Sequence, residues 1–124
     1  MNLPEAHHKI VEAWVDAFNK ADAVAISSLF SEGAKNHIIL EKAVEGRPAI
    51  QKMFEQEFET AHMFCIANEI AGESNWATLK WKDPNGLEGQ SYFEFENGEI
   101  SFHRGFWDKQ SFLRYYSDKN QTGH

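Results

Sequence analysis

The side chains that could do chemistry in this chain are few. They are spread between two histidines and a set of aromatic and acidic residues. His37 sits in a short polar break, Asn36-His37, in a first half that otherwise reads as helix. An imidazole has a reference pKa of about 6.5, so a histidine there can serve as general base or acid near neutral pH. It can equally be a structural histidine bonded to a neighbouring backbone carbonyl. His103 lies in an aromatic run from Ile100 to Trp107 that reads as a strand. Side chains alternate along a strand, so His103, Gly105 and Trp107 share one face, and Phe102, Arg104 and Phe106 share the other. Either set can face inward, because a one-residue slip exchanges them. Asp108 follows, where it can orient a histidine or cap the tail. Tyr92 and Glu94 share a strand face, as hydrogen-bond donor and acid, or as outward-facing residues.

Other chemistries have less support. The histidines at 7, 8, 37, 62 and 103 form no His-x-x-x-His or Glu-x-x-His pattern, so no metal is expected. No glycine-rich phosphate loop appears, and no cofactor is expected. The Ser27-Ser28 pair lacks the context of a nucleophile elbow. Cys65 is the only cysteine, set in the apolar run Met63-Phe64-Cys65-Ile66, and reads as a buried reduced thiol.

These residues need elements to hold them. Pro4-Glu5 opens a first helix whose apolar positions are Ile10, Val11, Trp14, Val15 and Phe18. After a break at residues 19–22, Asp22 can cap a short second helix. Its inner side would carry Val24, Ala25, Leu29 and Phe30, and it would end near Ser31-Glu32-Gly33. A short strand is expected over 36–40 and a turn over 44–48. Pro48 then opens a third helix with Ile50, Met53, Phe54 and Phe58, ending around 60–62. Beyond it the period turns strand-like. Strands are expected over 64–71, 76–81, 90–95 and 100–107, with turns at Asp83-Pro84-Asn85-Gly86 and Asn97-Gly98. Helices first and strands last cannot alternate into a parallel sheet. They imply an α+β domain, with helices on one face of a mostly antiparallel sheet and room for a pocket between them.

Length and charge narrow the class. A chain of 124 residues is expected to form one domain, with a core over about 5–113 and a polar C-terminal tail. Apolar residues make up 42% and aromatics 14%, enough material for a core. The net charge of −7, from 12 basic and 19 acidic side chains, lacks the basic face that nucleic acid or an anionic membrane would need. There is neither a basic-then-apolar leader pattern nor a long apolar span, so a soluble, cytoplasmic protein is expected.

Three passages carry a resemblance. They are residues 14–22 (WVDAFNKAD) followed by 28–34 (SLFSEGA), residues 44–50 (VEGRPAI) followed by Met53-Phe54, and Asn97-Gly98-Glu99-Ile100 running to residues 104–108 (RGFWD). In this order and spacing the chain resembles the NTF2-like superfamily. This is the cystatin-like cone of three N-terminal helices on a curved, mostly antiparallel sheet, shared by ketosteroid isomerase and the SnoaL-like polyketide cyclases. The resemblance spans roughly residues 5–113.

The resemblance implies a cavity lined by Trp14, Asn36, Phe54, Trp81, Tyr92, Glu94 and Trp107, with His103 as a polar handle. It places His37 close to the family's base. It also implies a homodimer through the outer face of the sheet. The isomerase's own tyrosine, aspartate and late-strand acid are replaced by Trp14, Ile38 and about Ser91 or Tyr92. The arginine and paired aspartates of the epoxide hydrolases of this fold are not evident. The expectation is a cofactor-independent enzyme for a small apolar carbonyl or cyclic compound, with His37, His103 and Asp108 as catalytic residues. The alternative is a non-catalytic ligand-binding or dimerisation module.

Overall fold

A computed structural model describes residues 3–38, 43–60 and 64–107, except the side chains at 38, 60, 106 and 107. Helix α1 spans Glu5–Asn19 and buries Val11, Trp14 and Ala17 on one stripe. Asp22 accepts a hydrogen bond from the Ala25 amide at 2.9 Å and starts helix α2, Ala23–Ser28. The cap sets the helix phase, so Ala23, Ile26 and Ser27 turn inward. Val24, expected on the inner side, is 63% exposed.

The second helix stops earlier than its sequence suggests. It ends at Ser28 rather than near residues 31–33, and strand β1 runs over Phe30–Ile38. Two contacts draw the chain out of the helix at this point. The Ile100 amide donates to the Leu29 carbonyl at 2.9 Å. The Arg47 guanidinium donates to the Phe30 carbonyl from Nε at 3.0 Å and from Nη2 at 2.9 Å, and also reaches Glu99. The Asn36-His37 step is therefore no interruption between elements but lies within a strand, close to its described end.

Strand β2 (Val44–Glu45) pairs antiparallel with β1. Helix α3, Arg47–Thr60, has Pro48 in its first turn and buries Ile50 and Phe54. Strands β3 (Ile66–Glu73), β4 (Trp76–Lys82), β5 (Glu88–Glu96) and β6 (Glu99–Trp107) follow as an antiparallel meander. The β5–β6 turn has Asn97 and Gly98 at φ +53° and +78°, the conformation for which Asn-Gly is selected. At Gly72, φ +155°, a Cβ would come within 2.3 Å of the Trp76 carbonyl oxygen, so only glycine lets β3 lie this close to β4.

The sheet order is β2-β1-β6-β5-β4-β3, an open sheet of six strands. The β1–β6 pair is parallel and every other pair is antiparallel. Register irregularities interrupt β1–β6, β3–β4 and β5–β6, and such bulges bend and twist a sheet. The helices cover one face, where Ala77, Leu79, Trp81, Ser91, Phe93, Phe95, Ile100 and His103 are buried. At the far end, the Asn19 side chain both donates to the Cys65 carbonyl (2.9 Å) and accepts from its amide (2.7 Å). An asparagine amide thus ties the end of α1 to the start of β3 in the way a peptide group would.

Candidate functional site

The parallel register of β1 on β6 assembles the site. It sets Asn36 opposite His103, and the antiparallel β5–β6 register sets Phe93 on the other side of His103. These three residues form a row on the covered face of the sheet. Asn36 is fully buried, and His103 is 2% exposed. His103 Nδ1 lies 2.6 Å from Asn36 Oδ1, and Asn36 Nδ2 lies 3.2 Å from the Met53 thioether on α3.

Those contacts define the protons. A thioether only accepts hydrogen bonds, so the Asn36 NH2 faces Met53 and its oxygen faces His103. His103 must then carry its proton on Nδ1, which leaves a bare lone pair on Nε2. Around the imidazole lie Trp14 at 5.1 Å between ring centroids, Phe93 at 4.8 Å and Phe30 at 6.3 Å. Phe54 stands behind Phe30 at 6.4 Å. This apolar jacket denies water to a charged ring and pushes the His103 pKa down to about 3. His103 is a neutral hydrogen-bonding group at physiological pH.

The structure divides the sequence-derived candidates between the two faces of the sheet. Trp14, Asn36, Phe54, Trp81 and His103 are buried on the inner side. His37 is not among them: it follows inward-facing Asn36 on β1 and so takes the opposite face, in register with Arg104. Its expected role as the general base of an interior pocket is corrected by that strand parity. Tyr92 and Glu94 are corrected likewise. They alternate with buried Ser91, Phe93 and Phe95 and line the outer face. Asp108 and the side chain of Trp107 lie outside the described residues.

The outer face has its own structure. His37, Arg104, Tyr92 and Thr78 are in register across β1, β6, β5 and β4. An open groove of about 700 Å3 is lined by Thr78, Gln90, Tyr92, Glu94, Phe102 and Arg104. The Tyr92 hydroxyl donates to Glu94 Oε2 at 2.7 Å. Partial burial, then the hydrogen bond and charge of Glu94, push its pKa up to about 12. Thr78, Gln90, Phe102 and Arg104 were not singled out from the sequence as lining residues, although strand alternation places them with Tyr92. Cys65 is buried, with its thiol pushed up to about 12 by burial, so it is held as an unreactive thiol. Among the described residues, no three His, Cys, Asp or Glu side chains group as metal ligands, and no helix is long and apolar enough to cross a membrane.

A three-helix layer on a curved, open α+β sheet is the NTF2-like or cystatin-like architecture. The sequence profile of the SnoaL-like domain matches residues 11–103, and the chain belongs to that family. Comparison with curated proteins returns no match. Among solved structures, a polyketide cyclase candidate from Xanthomonas campestris pv. campestris superposes with a TM-score of 0.79 at 16% identity, over 89% of this chain and 96% of that one. The epoxide hydrolase/cyclase-like enzyme SalBIII, of pyran ring formation in the polyether salinomycin, gives 0.72 at 20% identity, over 84% and 92%. A cystatin-like protein of unknown function from Methylobium petroleophilum gives 0.73 at 21% identity, over 87% and 80%. At these identities the likeness is one of fold.

The neutral His103 links the site to stability. Its pKa falls from 6.5 to about 3 on folding. Below pH 6.5 the unfolded chain therefore binds a proton that the native chain refuses. The resulting stabilisation is complete above pH 6.5 and is lost as pH falls toward 3, at about 1.4 kcal/mol per pH unit. Denaturant unfolding of the wild type and of His103→Phe over this range should show the wild type losing stability more steeply, by one proton. Carboxylate effects cancel in the comparison, so parallel curves would contradict a neutral His103.

Proposed function

We propose that this SnoaL-like domain takes one small, largely apolar, oxygen-bearing cyclic compound between its helices and its sheet, with His103 as the polar anchor. The observation that carries the reading is a buried neutral imidazole whose Nε2 lone pair has no partner among the described residues. Buried polar atoms are normally paired, and one left bare among Trp14, Phe30 and Phe93 suits an apolar ligand with a single polar group. Two structural neighbours named for ring chemistry support a cyclic compound.

An acid–base step at this anchor needs no cofactor. His103 Nε2 accepts a proton from the bound compound and returns it to another position, which rearranges or closes a ring. The jacket that keeps His103 neutral also makes it a weak base. Its substrate must then release a proton from a position far more acidic than an alcohol, such as an enol or a carbon between two carbonyl groups. The indole and phenyl rings around it exclude water from the exchange. Titration with ring ketones, lactones and cyclic alcohols, followed by NMR, should give saturable binding that perturbs the His103 ring signals and is lost in His103→Phe. If no compound binds, or if binding leaves His103 unperturbed, the proposal fails.

We further propose that the outer face pairs with a second copy of the chain. Trp76, Tyr92 and Phe102 form a ladder of half-buried rings, 6.4 and 6.1 Å apart, flanked by Glu94 and Arg104 of opposite charge. A two-fold axis makes such a patch self-complementary, with each acid facing the other copy's base. Sedimentation should show a dimer at micromolar concentration and a monomer for Phe102→Asp. A wild-type monomer under those conditions would rule this interface out.

A further inference from the structure

The groove on the outer face of the sheet holds one acid and one base beside ring surface. Its volume of about 700 Å3 is that of a small-molecule site, for which about 300–1,000 Å3 is usual. Strand register sets Tyr92 opposite Arg104 and Glu94 opposite Phe102. Glu94 and Arg104 therefore stand diagonally across β5 and β6, where neighbours lie roughly 7–8 Å apart. The Tyr92 hydroxyl donates to Glu94 Oε2 at 2.7 Å. That donor is neutral, so it orients the carboxylate without cancelling its charge. Tyr92 keeps its proton because its pKa is pushed up to about 12.

The Tyr92 and Phe102 rings lie 6.1 Å apart and are inclined at 63°. A cation within about 6 Å of a ring face is attracted to it. Rings so inclined cannot both lie flat on one plane. A flat guanidinium would stack on one of them, whereas a rounded alkylammonium head touches both and still faces Glu94. Arg104 is exposed and has a contact of its own, and its five N–H donors can serve a further acceptor. Its charge repels a bare cation from the groove and draws an anionic group.

We infer that the outer groove binds a small zwitterion, with an alkylammonium head on Tyr92, Phe102 and Glu94 and a carboxylate at Arg104. This site is separate from the interior anchor at His103 and shares its residues with the proposed dimer interface. A bound zwitterion pairs, within one copy, the acid and the base that a second copy would pair across the two-fold axis. The two occupants therefore exclude one another, and the ligand favours the monomer.

The test compares 4-(trimethylammonio)butanoate, its methyl ester and 5,5-dimethylhexanoate. The three share one shape and carry both charges, the positive one alone and the negative one alone. Ring resonances of Tyr92, Phe102 and His103 are followed by NMR at constant ionic strength. The zwitterion should shift Tyr92 and Phe102 saturably and leave His103 unmoved. It should bind about fivefold more tightly than either analogue, the worth of one exposed charge contact. Glu94→Gln should weaken the zwitterion by a similar factor, and Arg104→Gln should abolish its advantage over the ester. Equal binding of the three compounds, or unmoved Tyr92 and Phe102 rings at saturation, overturns the site. A zwitterion that moves His103 instead overturns it and leaves the interior reading standing. Where the wild type sediments as a dimer, saturating zwitterion should dissociate it, and a dimer that persists contradicts the shared site. Where it sediments as a monomer, the dimer reading falls alone and the ring shifts decide.

Discussion

The parallel pairing of β1 with β6 is the constraint on which the interior of this protein depends. Among the described residues it is the single parallel joint in an otherwise antiparallel sheet, and it sets Asn36 beside His103. Because strand faces alternate with a period of two, a slip of one residue would turn Lys35 and His37 inward and expel Asn36. Several contacts hold the joint at its start. The Leu29 carbonyl takes the Ile100 amide, and Arg47 clamps the Phe30 carbonyl while it reaches Glu99 at the head of β6. Helix α3 is thereby fixed at its first residue, and Met53 comes down on Asn36. One register thus supplies the strand closure, the helix placement and the polar row.

The polar row is energetically exposed in a way the surrounding core is not. Phe30, Phe54 and Phe93 are stabilised by burial alone, at roughly 25 cal/mol per Å2 of apolar surface. Asn36 and His103 must recover in hydrogen bonds what they lose in hydration. Asn36 does so, with His103 on its oxygen and Met53 on its amide. Among the described residues, His103 finds a partner for one of its two ring nitrogens. A phenylalanine there would carry no such cost, so the histidine is a chemical feature that packing does not require. That imbalance, rather than the fold, is what sets this site apart from an ordinary core.

Much of the fold was legible in the residues. The phase of α1, the Asn97-Gly98 hairpin and Pro48 at the head of α3 follow from periodicity and turn chemistry. The resemblance to the SnoaL-like family drew on the same signals. The interior was legible only in pieces, because its organising contact is a parallel pairing between segments 67 residues apart. Nothing local in Phe30–Ile38 announces a strand that begins directly after a helical turn, and so α2 reads too long. The parity of His37 follows from where β1 begins, which is why a titratable residue next to the correct position was favoured over Asn36. Tyr92 and Glu94 were legible as a pair, but their face was decided by Phe93 and Phe95, whose burial alternation alone could not assign a side.

The site depends on the protonation of one ring. Long-range 1H–15N correlation spectra of the His103 imidazole at neutral pH measure it directly. The structure requires a neutral ring with its proton on Nδ1 and a bare Nε2, and it requires the tautomer to lose this bias in Asn36→Ala. An imidazolium, or a proton on Nε2, would contradict it.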